Sequence, residues 1–186
     1  MNAAPPHGIA LIRGINVGTA KRVAMADLRA HLERRGLAGV ATLLNSGNVV
    51  FAPPRAGIAA AARLVADTLR GDCGVTAEVV ALSAAELAAI IAACPMQAPA
   101  DPSRLFVTIY GAPANRARYT ALAAQDWSPD QLWLGPAAAY AWCRGGATGS
   151  PLAKAVSKAM GKSCTTRNWA TLLRLAALVA GPPGVA

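Results

Sequence analysis

The 186 residues carry a net charge of +9, are 54% hydrophobic and only 15% charged. A chain this apolar buries a substantial core, which excludes an intrinsically disordered protein, and no apolar run is long enough to cross a bilayer. The four cysteines, Cys73, Cys94, Cys143 and Cys164, contain no CxxC pair, and two histidines do not complete a zinc motif. No metal and no cofactor are expected. The N-terminus lacks a basic, apolar leader, so a cytoplasmic protein with reduced thiols is expected. Positive charge runs through both halves, +4 over residues 1–82 and +5 over residues 83–186, and the last acid is Asp130. A basic surface draws anions, whether small phosphorylated ligands or nucleic acid; it also serves merely to keep a protein in solution.

Taken in chain order, residues 9–12 are a short apolar run ending at Arg13-Gly14, which reads as a buried strand. Met25, Leu28 and Leu32 recur at helical spacing over residues 25–35, with Gly36 placed to terminate the helix. Residues 40–44 and 49–52 are strand-like runs around Asn45-Ser-Gly-Asn48, a hairpin signal. Ile58, Ala61, Val65 and Leu69 mark a second helix stopped by Gly71, and residues 75–82 read as a fourth strand. Ser83-Ala-Ala-Glu86 is a capping box that opens a third helix ending at Pro95. After the Pro95–Pro102 linker the plan returns: strand 105–110, helix 114–124, strands 131–134 and 140–143 around Gly135-Pro136. Ser150-Pro151 starts a helix that ends at Gly161. A short strand follows over 164–166, and Asn168 caps a last helix.

The order β-α-β-β-α-β-α thus appears twice. We expect an α+β protein with two tandem ferredoxin-like halves, mainly antiparallel, each followed by an extra helix. The boundaries are 1–82 for the first half, 83–102 for a capping helix and linker, and 103–186 for the second half. One larger mixed sheet is the alternative. Aromatic residues separate the halves: Phe51 alone lies in the first, and Phe106, Tyr110, Tyr119, Trp127, Trp133, Tyr140, Trp142 and Trp169 lie in the second.

This topology has a consequence for the polar residues. With the first and second strands parallel and the third between them, the end of the first strand and the following hairpin turn share one sheet end. Arg13, Gly14 and Asn16 then face Asn45, Ser46 and Asn48, over the start of the first helix, with Lys21 and Arg22 in the intervening loop. A helix N-terminus, a glycine-rich backbone and a fixed guanidinium together suit an anion. The spacing matches neither the Walker A motif nor the dinucleotide fingerprint. Each residue also has a plainer reading: Asn and Gly make tight turns, and Arg13 caps carbonyls or pairs with Asp27.

Two further basic features stand out. Lys154, Lys158 and Lys162 recur every four residues, like charges on one helical face that serve either binding or solvation. Arg167 sits at a predicted helix start, where a cation needs a partner. A nucleic-acid-binding protein using this basic third and the aromatic residues is therefore one alternative, although no RNP1-like run is present. An enzyme acting on an anionic substrate, with Asp27 or Cys164 as the reactive group, is another. No Ser/His/Asp set or carboxylate pair supports it, and the sequence leaves oligomeric state open.

Four blocks also carry a resemblance: Ala10-Leu-Ile-Arg-Gly-Ile-Asn-Val-Gly18, Met25-Ala-Asp-Leu-Arg29, Leu44-Asn-Ser-Gly-Asn-Val-Val-Phe51 and Thr165-Thr-Arg-Asn-Trp169. In order and spacing the chain resembles the bacterial family catalogued as domain of unknown function 1697, over nearly its whole length. The resemblance implies a small cytosolic α+β protein with a repeated ferredoxin-like plan. It implies no activity and no catalytic residue.

Overall fold

The first strand, β1 (Gly8–Ile12), is an uninterrupted apolar run, and all five of its residues are buried. In the computed structural model, which describes residues 7–18 and 22–180, it lies inside a four-stranded antiparallel sheet. Its neighbours are β3 (Asn48–Phe51) and β4 (Val79–Ser83), and β2 (Ala41–Leu43) pairs with β3 at the edge. The order β2-β3-β1-β4 is that of a split βαβ unit. Because side chains alternate across a strand, Ala10 and Ile12 face the helices together with Val49 and Phe51. Against them pack α1 (Met25–Arg34), through Leu28 and Leu32, and α2 (Ile58–Gly71), through Ala61, Val65 and Leu69.

Gly36 terminates α1 for a specific backbone reason. It sits at φ +87°. Its N–H donates to Glu33 O at 3.0 Å, and the N–H of Leu37 donates to Leu32 O at 3.0 Å. These are the two bonds of a Schellman motif, whose left-handed residue is usually glycine. The capping box forms as expected before α3 (Ala84–Ala92): Ser83 N donates to Glu86 Oε2 at 2.7 Å, and Glu86 N donates to Ser83 Oγ at 3.2 Å.

The second half repeats the strand order. β5 (Leu105–Tyr110), β6 (Gln131–Leu134), β7 (Ala138–Trp142) and β8 (Cys164–Asn168) form an antiparallel sheet ordered β6-β7-β5-β8. α5 (Pro151–Ala159) covers one face, with Ser150 Oγ accepting from Ala153 N at its start. α6 (Trp169–Ala180) follows β8, and Asn168 Oδ1 accepts from Thr171 N. The chain is thus α+β with two four-stranded sheets of the same ferredoxin-like order. By contact it divides into two compact units, Ala88–Arg174 and the remainder, so one continuous mixed sheet is ruled out.

Several expected elements differ. Residues 114–124 are not one helix but a 3-10 segment, Pro113–Tyr119, followed by a single turn, α4 (Thr120–Ala123). Strand pairing in the fourth strand begins at Val79, not Val75. Arg167 lies within a strand, opposite Val107, so it is not a residue of a helix start.

The aromatic residues of the second half are largely interior: Tyr119, Tyr140 and Trp169 are no more than 1% exposed. The Tyr110 and Tyr119 rings stack at 5.5 Å, and among the described residues the Tyr110 hydroxyl has no hydrogen-bond partner, while the Tyr119 hydroxyl lies against the Cys164 thiol. Tyr140 is different, since its hydroxyl donates to Ile90 O at 2.7 Å. Burial pushes the Tyr110 phenol up to about 12 and raises Tyr119 and Tyr140 further. The folded protein therefore holds these protons to higher pH than the unfolded chain does. Their stabilisation is complete below about pH 10 and is lost progressively as pH rises above it. Burial lowers the pKa of Arg167, but a guanidinium keeps its proton through this range. Burial raises the Cys73, Cys94 and Cys143 thiols as well, so urea midpoints are expected to be flat to about pH 8 and to fall above it, with the part of the fall above pH 10 less steep in Tyr110→Phe/Tyr119→Phe. A midpoint unchanged up to pH 12 would contradict the burial of these phenols.

Candidate functional site

The end of β1 and the β2–β3 turn meet, as the topology requires. Ile12 N donates to Gly47 O at 2.8 Å, and Arg13 N donates to Glu78 O at 2.9 Å. The chain then turns through Gly14 at φ +73° and Asn16 at φ +56°. Asparagine tolerates this left-handed backbone better than most residues with a side chain. Its amide bridges three strands of chain. Asn16 Nδ2 donates to Val23 O at 2.9 Å and to Asn45 O at 2.7 Å, while Oδ1 accepts from Val23 N at 2.7 Å. Asn16 therefore closes the loop that leads to α1 and ties it to the hairpin turn. Within that turn Asn48 is buried, and its Nδ2 donates to Leu43 O at 2.8 Å and to Ser46 Oγ at 3.0 Å.

Between the latched loop and the turn lies an open depression of about 340 Å³. The described residues lining it are Asn16, Gly18, Arg22, Val23, Ala24 and Asn45. Arg22 and Asn45 are exposed. Ala24 is the N-cap of α1 and offers no side-chain bond, so among the described residues no N-cap side chain satisfies the first N–H groups of the helix. A cation, an amide and the positive end of a helix dipole thus line one concavity. Asp27, exposed in the first turn of α1, offsets part of that dipole.

The family model described as "Protein of unknown function (DUF1697)" matches residues 6–140. The chain belongs to this family. A solved structure with a similar fold is the conserved bacterial protein SP0830 from Streptococcus pneumoniae. It is 21% identical with a TM-score of 0.73, and the match covers 94% of this chain and 98% of that one. At this identity the likeness carries the fold alone. None of the curated proteins matches the chain.

The geometry rearranges the expected site of this DUF1697 protein. Asn16 and Asn45 come together at the depression. Arg13 is half-buried and not among the described lining residues, and Lys21 lies outside the described residues. A Cβ at Gly14 would meet nothing within 4 Å, so this glycine serves the turn. A Cβ at Gly47 would sit 2.9 Å from Ile12 Cβ and its φ is +79°, so that glycine serves both packing and the turn. Ser46 and Asn48 bond to each other within the turn. Arg167 belongs to the other unit and is buried, with Nη1 donating to Thr165 Oγ1 and to Thr166 O, both at 2.9 Å.

The second basic feature also changes. Lys154 and Lys158 are exposed on α5, but the helix stops at Ala159 with Met160 as its C-cap, so Lys162 is off the helical face. Cys164, the thiol weighed as a nucleophile, has no exposed surface. The site residue that sequence reasoning undervalued is Arg22. Its signal was position: it stands three residues before Met25, where the helical period begins.

Among the described residues no group of three or more His, Cys, Asp or Glu could hold a metal ion. No helix among them is long and apolar enough to cross a membrane.

Proposed function

We propose that this DUF1697 protein binds a small phosphorylated or nucleotide-like anion in the depression at the end of the first sheet. One observation carries the reading: Arg22 and the start of α1, whose N-cap Ala24 offers no side-chain bond, line the same concavity, whose wall Asn16 fixes. The guanidinium supplies charge and paired donors, the helix N–H groups supply further donors, and Asn45 adds an exposed amide. Arg22 replaces Arg13 as the recognising cation, and Asn16 acts as support for the site. The four cysteines are free thiols, in keeping with a reducing, cytoplasmic setting.

Thermal denaturation against inorganic phosphate, AMP and ATP tests the proposal. A ligand at ten times its Kd stabilises by about 1.4 kcal/mol, which raises Tm by roughly 3–6 °C for a chain of this size. Arg22→Ala is expected to abolish most of that rise while leaving the Tm without ligand within about 1 °C of the parent. No response to any of the three, or an undiminished response in Arg22→Ala, would refute the assignment.

A further inference from the structure

The Ala88–Arg174 unit holds a second, chemically different cavity. It occupies about 190 Å³ between α5 and the sheet face formed by β5, β7 and β8. Phe106 and Ala141, directly paired across β5 and β7, form its floor with Thr166. Ala153, Val156 and Met160 form the opposite wall. The space exists because alanine stands at positions 141, 147 and 153, where larger side chains would fill it.

Apart from exposed Ser157, the polar side chains lining it are already engaged. Thr166 Oγ1 lies 2.9 Å from Thr108 Oγ1 and 3.6 Å from Met160 Sδ. The Cys143 thiol, fully buried at the cavity wall, has Ser150 Oγ at 3.5 Å. Whatever enters beyond Ser157 must therefore be apolar, since an added polar group would find no free partner there. An apolar cavity of about 150 Å³ is large enough to take benzene, so this one fits a single ring or a short alkyl chain.

The mouth has the opposite character. A shallow shelf shares Ala147, Ala153 and Ser157 with the cavity and is otherwise lined by Lys154 and Lys158. Among the described residues neither lysine makes an ion pair. No acid follows Asp130 in the chain, and Asp130 itself accepts from Ser150 Oγ and Arg144 N. Two like charges one helical turn apart repel each other, and a bound anion would relieve both.

We propose that this cavity binds a small amphipathic anion: a carboxylate whose ring or short alkyl tail enters between Phe106 and Met160 and whose head meets Lys154 and Lys158. The site is separate from the depression beside Arg22 and needs no phosphate. Amide chemical-shift titrations with hexanoate, hexan-1-ol and hexylammonium test it. Hexanoate is expected to bind saturably, with shifts clustered at Ala147, Ala153, Ser157 and Thr166, and more tightly than the alcohol or the amine. Lys154→Gln/Lys158→Gln, two exposed changes, is expected to weaken hexanoate about fivefold and hexanol less than twofold. Ala153→Leu is expected to remove both ligands without lowering Tm. Hexanoate binding no tighter than hexanol, shifts centred elsewhere, or full affinity in the double lysine variant would overturn the proposal.

Discussion

Gly111→Ala is expected to destabilise the protein by about 1.5–4.5 kcal/mol, the sum of overpacking against rigid backbone and a lost strand-end hydrogen bond. Gly111 follows Tyr110, whose strand partner is Cys164, and its own N–H donates to Ser163 O at 2.7 Å. A Cβ there would lie 2.0 Å from that same carbonyl oxygen. Rotating a side chain cannot relieve the clash, because both parties are backbone. The end of β8 must move away from β5, and the bond that holds it there is lost. Gly36→Ala is the informative control. Its φ is +87°, yet a Cβ would meet nothing within 4 Å, so only the left-handed backbone preference is at stake, about 1–2 kcal/mol. Urea denaturation of both variants checks the contrast, and a Gly111→Ala cost below that of Gly36→Ala would mean that β8 does not approach Gly111 this closely.

Much of this architecture is readable from residues with strong local signals. The Leu28–Leu32 period, the capping box at Ser83 and Glu86, the Ser150-Pro151 start and the Gly36 stop each act through backbone chemistry within a turn or two, and each appears where expected. The pairing of the β1 end with the hairpin turn is a long-range consequence of strand order alone, and the bond from Asn16 to Asn45 O realises it. Less readable are features decided by distant packing. Ala138 and Ala139 belong to β7, although alanine carries no strand preference and the segment reads as part of a turn. The 114–124 segment has helical spacing, but Pro113–Tyr119 winds more tightly, with Arg118 Nε donating to Ala159 O from outside the helix. Arg167 escapes prediction because a strand carrying a buried guanidinium breaks the usual composition of strands. Arg22 and Lys154 could be seen as charges, but only cavities tell which charges border a space that a ligand can enter.

Asn16→Ala should separate the architecture of the first site from its chemistry. Three hydrogen bonds to backbone are removed, each worth about 0.5–1.5 kcal/mol, and the left-handed backbone at residue 16 becomes less favourable, for an expected loss of roughly 2–4 kcal/mol. The damage is directional. Val23 loses the partner of its N–H and of its carbonyl, and the loop carrying Arg22 is released from the hairpin turn. Hydrogen exchange at the Val23 amide should therefore accelerate far more than at Leu11 or Val80 in the paired core of the sheet. Any phosphate response should fall together with the stability. Arg22→Ala behaves in the opposite way, keeping stability and Val23 protection while losing the response to anion. Were Asn16 itself the ligand-binding group, its removal would spare the loop. Slow exchange at Val23 together with lost binding would then mark it as a contact residue, whereas the three bonds it already makes predict a support whose loss opens the loop first.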